Sequence, residues 1–157
     1  MSSDLIKASA REMSAEERYD ILLADYRKMK ARYEDQIKEL SRDKETEIIV
    51  KVLLPVYQET VRAYMNNGTS DFFNFMHMLA SEITRKDYTL MDATYFRKYN
   101  RESNKPEIAE LAEVLRTVKI DNPRAHKQID DVFKIGLYDN TRNKVVAFPQ
   151  VSVYLYE

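Results

Sequence analysis

Two histidines, His77 and His126, and one adjacent acidic pair, Asp130-Asp131, are the residues of this chain best suited to acid–base or metal chemistry. His77 falls between Met76 and Met78 in a helical pattern, and His126 falls in a turn-rich segment. Neither has a carboxylate at ligand spacing, and the chain has no cysteine, so the sequence predicts no metal site. Successive side chains of a strand point to opposite faces, so Asp130 and Asp131 cannot share a proton as a catalytic dyad. The only glycines are Gly68 and Gly136, too few for a Gly-rich phosphate loop. Without cysteine there is also no thiol nucleophile and no disulfide. The expectation is a protein that is not an enzyme, with no catalytic residue, no cofactor and no metal.

Binding chemistry is the next candidate. The run Arg27-Lys28-Met29-Lys30-Ala31-Arg32 has the form of a basic helix, but Asp25, Glu34 and Asp35 flank it. The whole chain carries 25 basic and 26 acidic residues, a net charge of −1. That balance removes the broad positive field on which nucleic-acid binding rests, so no nucleic-acid partner is expected. A nucleic-acid reading would require a steep salt dependence. No apolar run approaches the ~20 residues needed to span a bilayer. The first segment, Met1 to Arg18, mixes acidic with basic residues, unlike a leader peptide. A cytoplasmic protein with no membrane partner is expected.

The elements that must carry any binding surface are clearer. Residues 1–13 lack periodicity and should fray. Ser14-Ala15-Glu16-Glu17 is a capping box, in which a serine hydroxyl and a glutamate satisfy orphan backbone donors. From there to Leu54 there is neither glycine nor proline. A helix continuing to about Asn66 would be roughly 78 Å long at 1.5 Å per residue. The radius of gyration of a compact chain of this length is only ~15 Å. Such a helix needs a partner. Tyr19, Leu22, Tyr26, Met29, Tyr33, Ile37 and Leu40 are spaced 3-4-3-4-4-3. That is heptad spacing with one hendecad step, a dimer seam on a charged rod. Residues 48–57 are apolar nearly all round, and Pro55 should kink the helix or start a new one. Asn66-Asn67-Gly68 is a stop signal, and Ser70 or Asp71 should cap the next helix. Phe72, Phe75, Met76, Leu79 and Ile83 lie on one face of that second helix, so two chains together would form a four-helix bundle.

Beyond Tyr88 the pattern is weaker. Tyr88–Tyr99 reads as strand or loop. Pro106–Leu115 reads as a short helix, with Val114, Val118 and Ile120 offering a strand start instead. Ile129–Tyr138 and Lys144–Leu155 are β-rich runs joined by Asp139-Asn140-Thr141-Arg142-Asn143, which is hairpin chemistry. The fold class is therefore α+β. The expected order is a frayed 1–13, a long dimerising helix 14–54, a helical-bundle segment 55–87 and a small β-domain 88–157.

This order of features resembles the GrpE family, the nucleotide-exchange factors of DnaK-type chaperones. Met29-Lys30-Ala31-Arg32-Tyr33-Glu34 is similar to the family's basic stretch in the long helix. Leu53-Leu54-Pro55-Val56 with Arg62-Ala63 is similar to its Leu-Leu-Pro-Val and Arg-Ala pair. Met78-Leu79 through Arg85-Lys86 resembles its second bundle helix, after which Asp87 stands where the family has glycine. Val132 to Leu137 and Val145–Val153 resemble its last two strand segments.

The resemblance implies a homodimer that grips the ATPase domain of a DnaK-type chaperone and opens its nucleotide cleft. It implies chaperone contacts at Phe133, three residues before the glycine, and at Val153 on the final strand. Lys144, or Arg142 if the hairpin register shifts, would supply basic support, with Lys30 and Arg32 adding a contact from the long helix. The rival reading is a coiled-coil adaptor dimer without exchange activity.

Overall fold

A computed structural model describes residues 12–157. The expectation that residues 1–13 fray lies, for residues 1–11, outside the described residues. The fold is mixed α+β, with a long N-terminal helical stretch, further helices and two small sheets. The chain divides between Lys44 and Glu45 into two units.

Helix α1, Ala15–Ile48, opens with the capping box that the sequence specifies. The Glu17 N–H donates to Ser14 Oγ at 3.1 Å, and the Ser14 N–H donates to Glu17 Oε2 at 2.9 Å. Two of the orphan donors at the helix start are thereby satisfied. No residue of α1 is buried.

Pro55 does not end the helix. A π turn, Ile49–Leu53, leads directly into α2, Leu54–Asn67, with the proline in the first turn of α2. Proline has no N–H to return to the carbonyl four residues back. Instead the Leu54 N–H reaches Ile49 O, five residues back. In an α-helix, residues five apart point about 140° away from each other, whereas a π turn stacks them. Both Ile49 and Leu54 are consequently buried in the same core.

Gly68 ends α2 in the left-handed conformation at φ 52°, its N–H bonded to Tyr64 O at 2.7 Å. Helix α3, Ser70–Arg85, follows with Thr69 at the N-cap position, one residue before the expected Ser70 or Asp71.

After α3 the chain turns through Asp87, whose φ is 61°. Two three-stranded sheets follow. The first has the order β1 (Tyr88–Met91), β4 (Gly136–Asp139), β5 (Lys144–Ala147), all antiparallel, with Leu90 opposite Leu137. In the second, β6 (Gln150–Tyr156) is central, parallel to β2 (Glu113–Ile120) and antiparallel to β3 (Ile129–Lys134). The aromatic run after Tyr88 is not one strand. It breaks at Asp92, whose carboxylate accepts the Tyr95 N–H at 3.0 Å and caps α4, Ala93–Arg101. The helix expected over Pro106–Leu115 is confined to α5, Ile108–Leu111. Ala112 is extended there, and the Glu113 N–H donates to Pro149 O at 2.9 Å. Pairing with β6 thus takes Val114 and Leu115 out of the helical pattern.

One core cluster joins Ile49, Leu54 and Tyr57 to Leu79 and Ile83 of α3 and to Tyr88, Leu90 and Leu137 of the first sheet. A second joins Phe96 and Tyr99 of α4 to Leu111, Ile129, Val151 and Val153. Two side-chain ties fix the end of α1 to the start of the first sheet. Thr46 Oγ1 and the Tyr88 hydroxyl lie 2.5 Å apart, and Lys86 Nζ lies 2.9 Å from Glu45 Oε1.

Candidate functional site

The best-formed surface around the expected contact residues is a groove between α2 and the second sheet, with a volume of about 360 Å³. Phe133 and Lys134 of β3 form one wall, and Leu54, Pro55, Gln58 and Arg62 form the other. Gln58 ties the walls together, because its Oε1 accepts the Ile135 N–H at 2.7 Å. Arg62 is held along the helix by Glu59, Nη1 to Oε1 at 2.6 Å. Phe133 is half-buried at a point where the β3–β6 register shifts. The irregularity lies between Val132 and Lys134, so Phe133 has no Cα partner on β6. The Arg116 guanidinium of β2 stands 5.1 Å from the centroid of the Phe133 ring. A cation over an aromatic face is worth about 0.5–1 kcal/mol at an exposed site, a modest bias toward this placement of the ring. The result is an apolar anchor bordered by Arg62, Arg116 and Lys134.

Val153 lies in the interior. It is buried, 5% exposed, with Cα partners Thr117 on β2 and Ile129 on β3. Both flanks of β6 are covered, and Val153 belongs with Phe96 and Tyr99 to the second core cluster. It therefore has no surface to offer a partner. Lys144 is exposed on β5, opposite Asp139, in the other sheet from Phe133. Arg142 is half-buried in the hairpin turn, where its N–H donates to Asp139 Oδ1 at 3.3 Å. Asp139 itself is fully buried and also accepts from the Thr141 N–H and hydroxyl, which fixes the hairpin. Phe133 and Lys144 are thus not brought into one cluster. Ala147, on the same strand as Lys144, shares the groove with Phe133.

Lys30 and Arg32 are exposed on α1. The seam residues Tyr19, Leu22, Tyr26, Met29, Tyr33, Ile37 and Leu40 are all between 49 and 67% exposed.

The residues first considered for chemistry are engaged elsewhere. His126 Nδ1 accepts the Tyr156 N–H at 3.1 Å, and the His77 ring stands edge-on to Phe73 at 4.4 Å. Asp130 accepts from the Ser152 hydroxyl at 2.9 Å, and its hydrogen bond to Tyr154 pushes that phenol's pKa up. Asp131 instead accepts the N–H of Val132 at 2.8 Å. Among the described residues no group of three or more histidines and carboxylates is placed to hold a metal ion. Nor is any helix among them long and apolar enough to cross a membrane.

No family model matches this chain, and no curated protein matches it.

Sequence reasoning missed Arg116 and Gln58. Arg116 belongs to a strand whose parallel partner lies more than thirty residues on, and no local pattern signals that pairing. Gln58 bonds to a residue 77 positions away, which no local spacing signals.

Proposed function

We propose that this chain is a GrpE-type co-chaperone. In this reading it is a homodimer that binds the ATPase domain of a DnaK-type chaperone and accelerates ADP release. The observation that carries it is the order of elements. A 34-residue helix without a buried residue comes first, then the α2–α3 hairpin, then two small sheets. This is the order that the resemblance implies. The backbone at Asp87 adds support. Its φ of 61° is a conformation suited to glycine, and glycine is what the resemblance sets there.

The physical mechanism is differential binding. A surface that fits only the open, weakly nucleotide-binding form of the ATPase domain shifts that domain toward the open form. The shift equals the difference in affinity for the two forms. Phe133 with its basic border is the anchor in this reading, and Lys30 and Arg32 are an accessory contact.

Release of labelled ADP from a purified DnaK-type chaperone, with and without this protein, is the test. Acceleration is expected. An unchanged release rate at saturating protein would remove the exchange function and leave the adaptor dimer. The burial of Val153 favours that second reading, because it removes one of two apolar contacts the resemblance implies.

A further inference from the structure

A second concavity, enclosed by α2, α3, β1 and α4, has a volume of about 630 Å³. That is within the roughly 300–1,000 Å³ of small-molecule sites. Tyr57 of α2 lines it and is only 6% exposed. Its hydroxyl has no hydrogen-bond partner among the described residues. No side-chain oxygen among them is both sealed from solvent and unpaired, so the Tyr57 oxygen keeps some solvent access. A nearly buried tyrosine in the lining of the cleft, whose hydroxyl has no partner among the described residues, leaves that hydroxyl open to a ligand or to water.

The charge around it identifies the kind of group. Asp92 and Glu102 both line the cleft, against one lysine, Lys98. Burial and the neighbouring Asp92 carboxylate raise the Tyr57 pKa, and burial raises that of Tyr95, with Glu102 contributing. Both phenols stay protonated beside negative charge, as the preferred surroundings of a cation require. Glu102, extended just beyond the end of α4, forms no ion pair with Lys98 or with any other described residue. The rim already holds one cation through an aromatic face, because Lys105 Nζ stands 4.7 Å over the Tyr99 ring.

We propose that this cleft binds an organic cation, a guanidinium or primary ammonium on a short apolar stem. Asp92 and Glu102 supply the counter-charge, the Tyr57 and Tyr95 hydroxyls accept its N–H groups, and the tyrosine rings cover the stem. A free amine and a basic side chain of a bound protein share this chemistry. The inference does not depend on the exchange reading, and either can fail without the other.

The test is a titration of the isotope-labelled full chain with n-butylguanidinium, followed by amide chemical shifts, with neutral n-butylurea as the isostere. Saturable shifts over residues 92–102 are expected with the cation. The neutral isostere should bind at least about tenfold more weakly, since a charge-assisted hydrogen bond is roughly twice as strong as a neutral one. Glu102→Gln, at an exposed residue without an ion pair, should fold normally and weaken the cation about fivefold. Tyr57→Phe should melt no earlier than the parent, because it removes an unpaired hydroxyl, and should also weaken binding.

A blocked pentapeptide with one arginine among alanines distinguishes the sources. Binding tighter than n-butylguanidinium assigns the site to a protein side chain, and weaker binding assigns it to a free amine. Equal binding of the urea isostere, unsaturable shifts, or unchanged affinity in both variants overturns the proposal.

Discussion

Pro149 closes directly over Gly136. A Cβ built at Gly136 would meet the Pro149 ring and would lie 2.6 Å from both Pro149 N and Ala147 O. The glycine is needed here for space, because its φ is not among the positive ones. Since backbone atoms of the β5–β6 connection form the obstacle, a methyl group must push the two sheets' connection aside. Gly136→Ala should therefore cost about 1–3 kcal/mol, the usual range for overpacking. Urea unfolding with an unchanged slope would measure it, and a loss under about 0.5 kcal/mol would show that the connection yields freely.

Asp87 requires a different kind of freedom. Its left-handed backbone costs a residue with a Cβ roughly 1 kcal/mol relative to glycine. Asp87→Gly should leave stability within about 1 kcal/mol of the parent, while a β-branched Asp87→Val should lose clearly more. Melting curves of the two variants give the comparison, and equal stability would contradict it.

The apolar positions of the β-domain should separate cleanly. Val153→Ala deletes a buried side chain and should cost about 1.5–3 kcal/mol from lost burial and the cavity left behind. Phe133→Ala, at a half-buried site, should cost less stability but about 2 kcal/mol or more of chaperone affinity if the proposed function holds. The decisive data are melting temperature and ATPase-domain affinity on both variants. An early-melting Phe133→Ala that binds normally would reverse the assignment.

Alkaline stability should fall above pH 10. Tyr57, Tyr95, Tyr99 and Tyr154 have pKa values raised above the ordinary tyrosine value of about 10, the first three chiefly by burial and Tyr154 chiefly by its bond to Asp130. Between the unfolded and the raised folded value, the folded chain holds protons that the unfolded chain has lost. Stability is thus fully present below pH 10 and declines as pH rises through the folded values. Phenolate absorbance should show these tyrosines titrating after the exposed ones. Tyr57→Phe should flatten the decline, and an identical slope would count against the assignment.

The seam on α1 should make the chain a dimer. Burying each apolar seam side chain is worth roughly 1.5–3 kcal/mol. Light scattering at micromolar concentration should give twice the 18.6 kDa chain mass. Met29→Asp with Ile37→Asp should return it to one.

What the sequence made legible was local chemistry. The Ser14–Glu17 box and the stop at Gly68 both depend on residues within a turn or two of each other, and each took its expected form. At Pro55 the disruption was legible but its form was not, because the spacing of apolar residues cannot tell a kink from a π turn. Tyr88–Tyr99 misled because aromatic residues suit strands, while the signal that divides it is a single cap, Asp92. Ala112 and Leu115 carried the helical spacing of Leu111 onward, but the chain is extended from Ala112 and pairing with a distant strand overrode it. Val153 illustrates a further limit. Alternation along β6 assigns side chains to two faces without saying which face will be buried, and here Val153 joins the second core cluster.

The position of β6 at the centre of its sheet has a consequence for the timing of folding. Both neighbours, β2 and β3, precede it in the chain, so neither can find its hydrogen-bonding partner until residues 150–156 have been synthesised. Until then the unpaired β2, with Val114 and Leu115, is an open template for other strands. Contacts of such long sequence separation also form slowly. A nascent chain of this protein therefore carries β2 and β3 without their shared partner until β6 emerges.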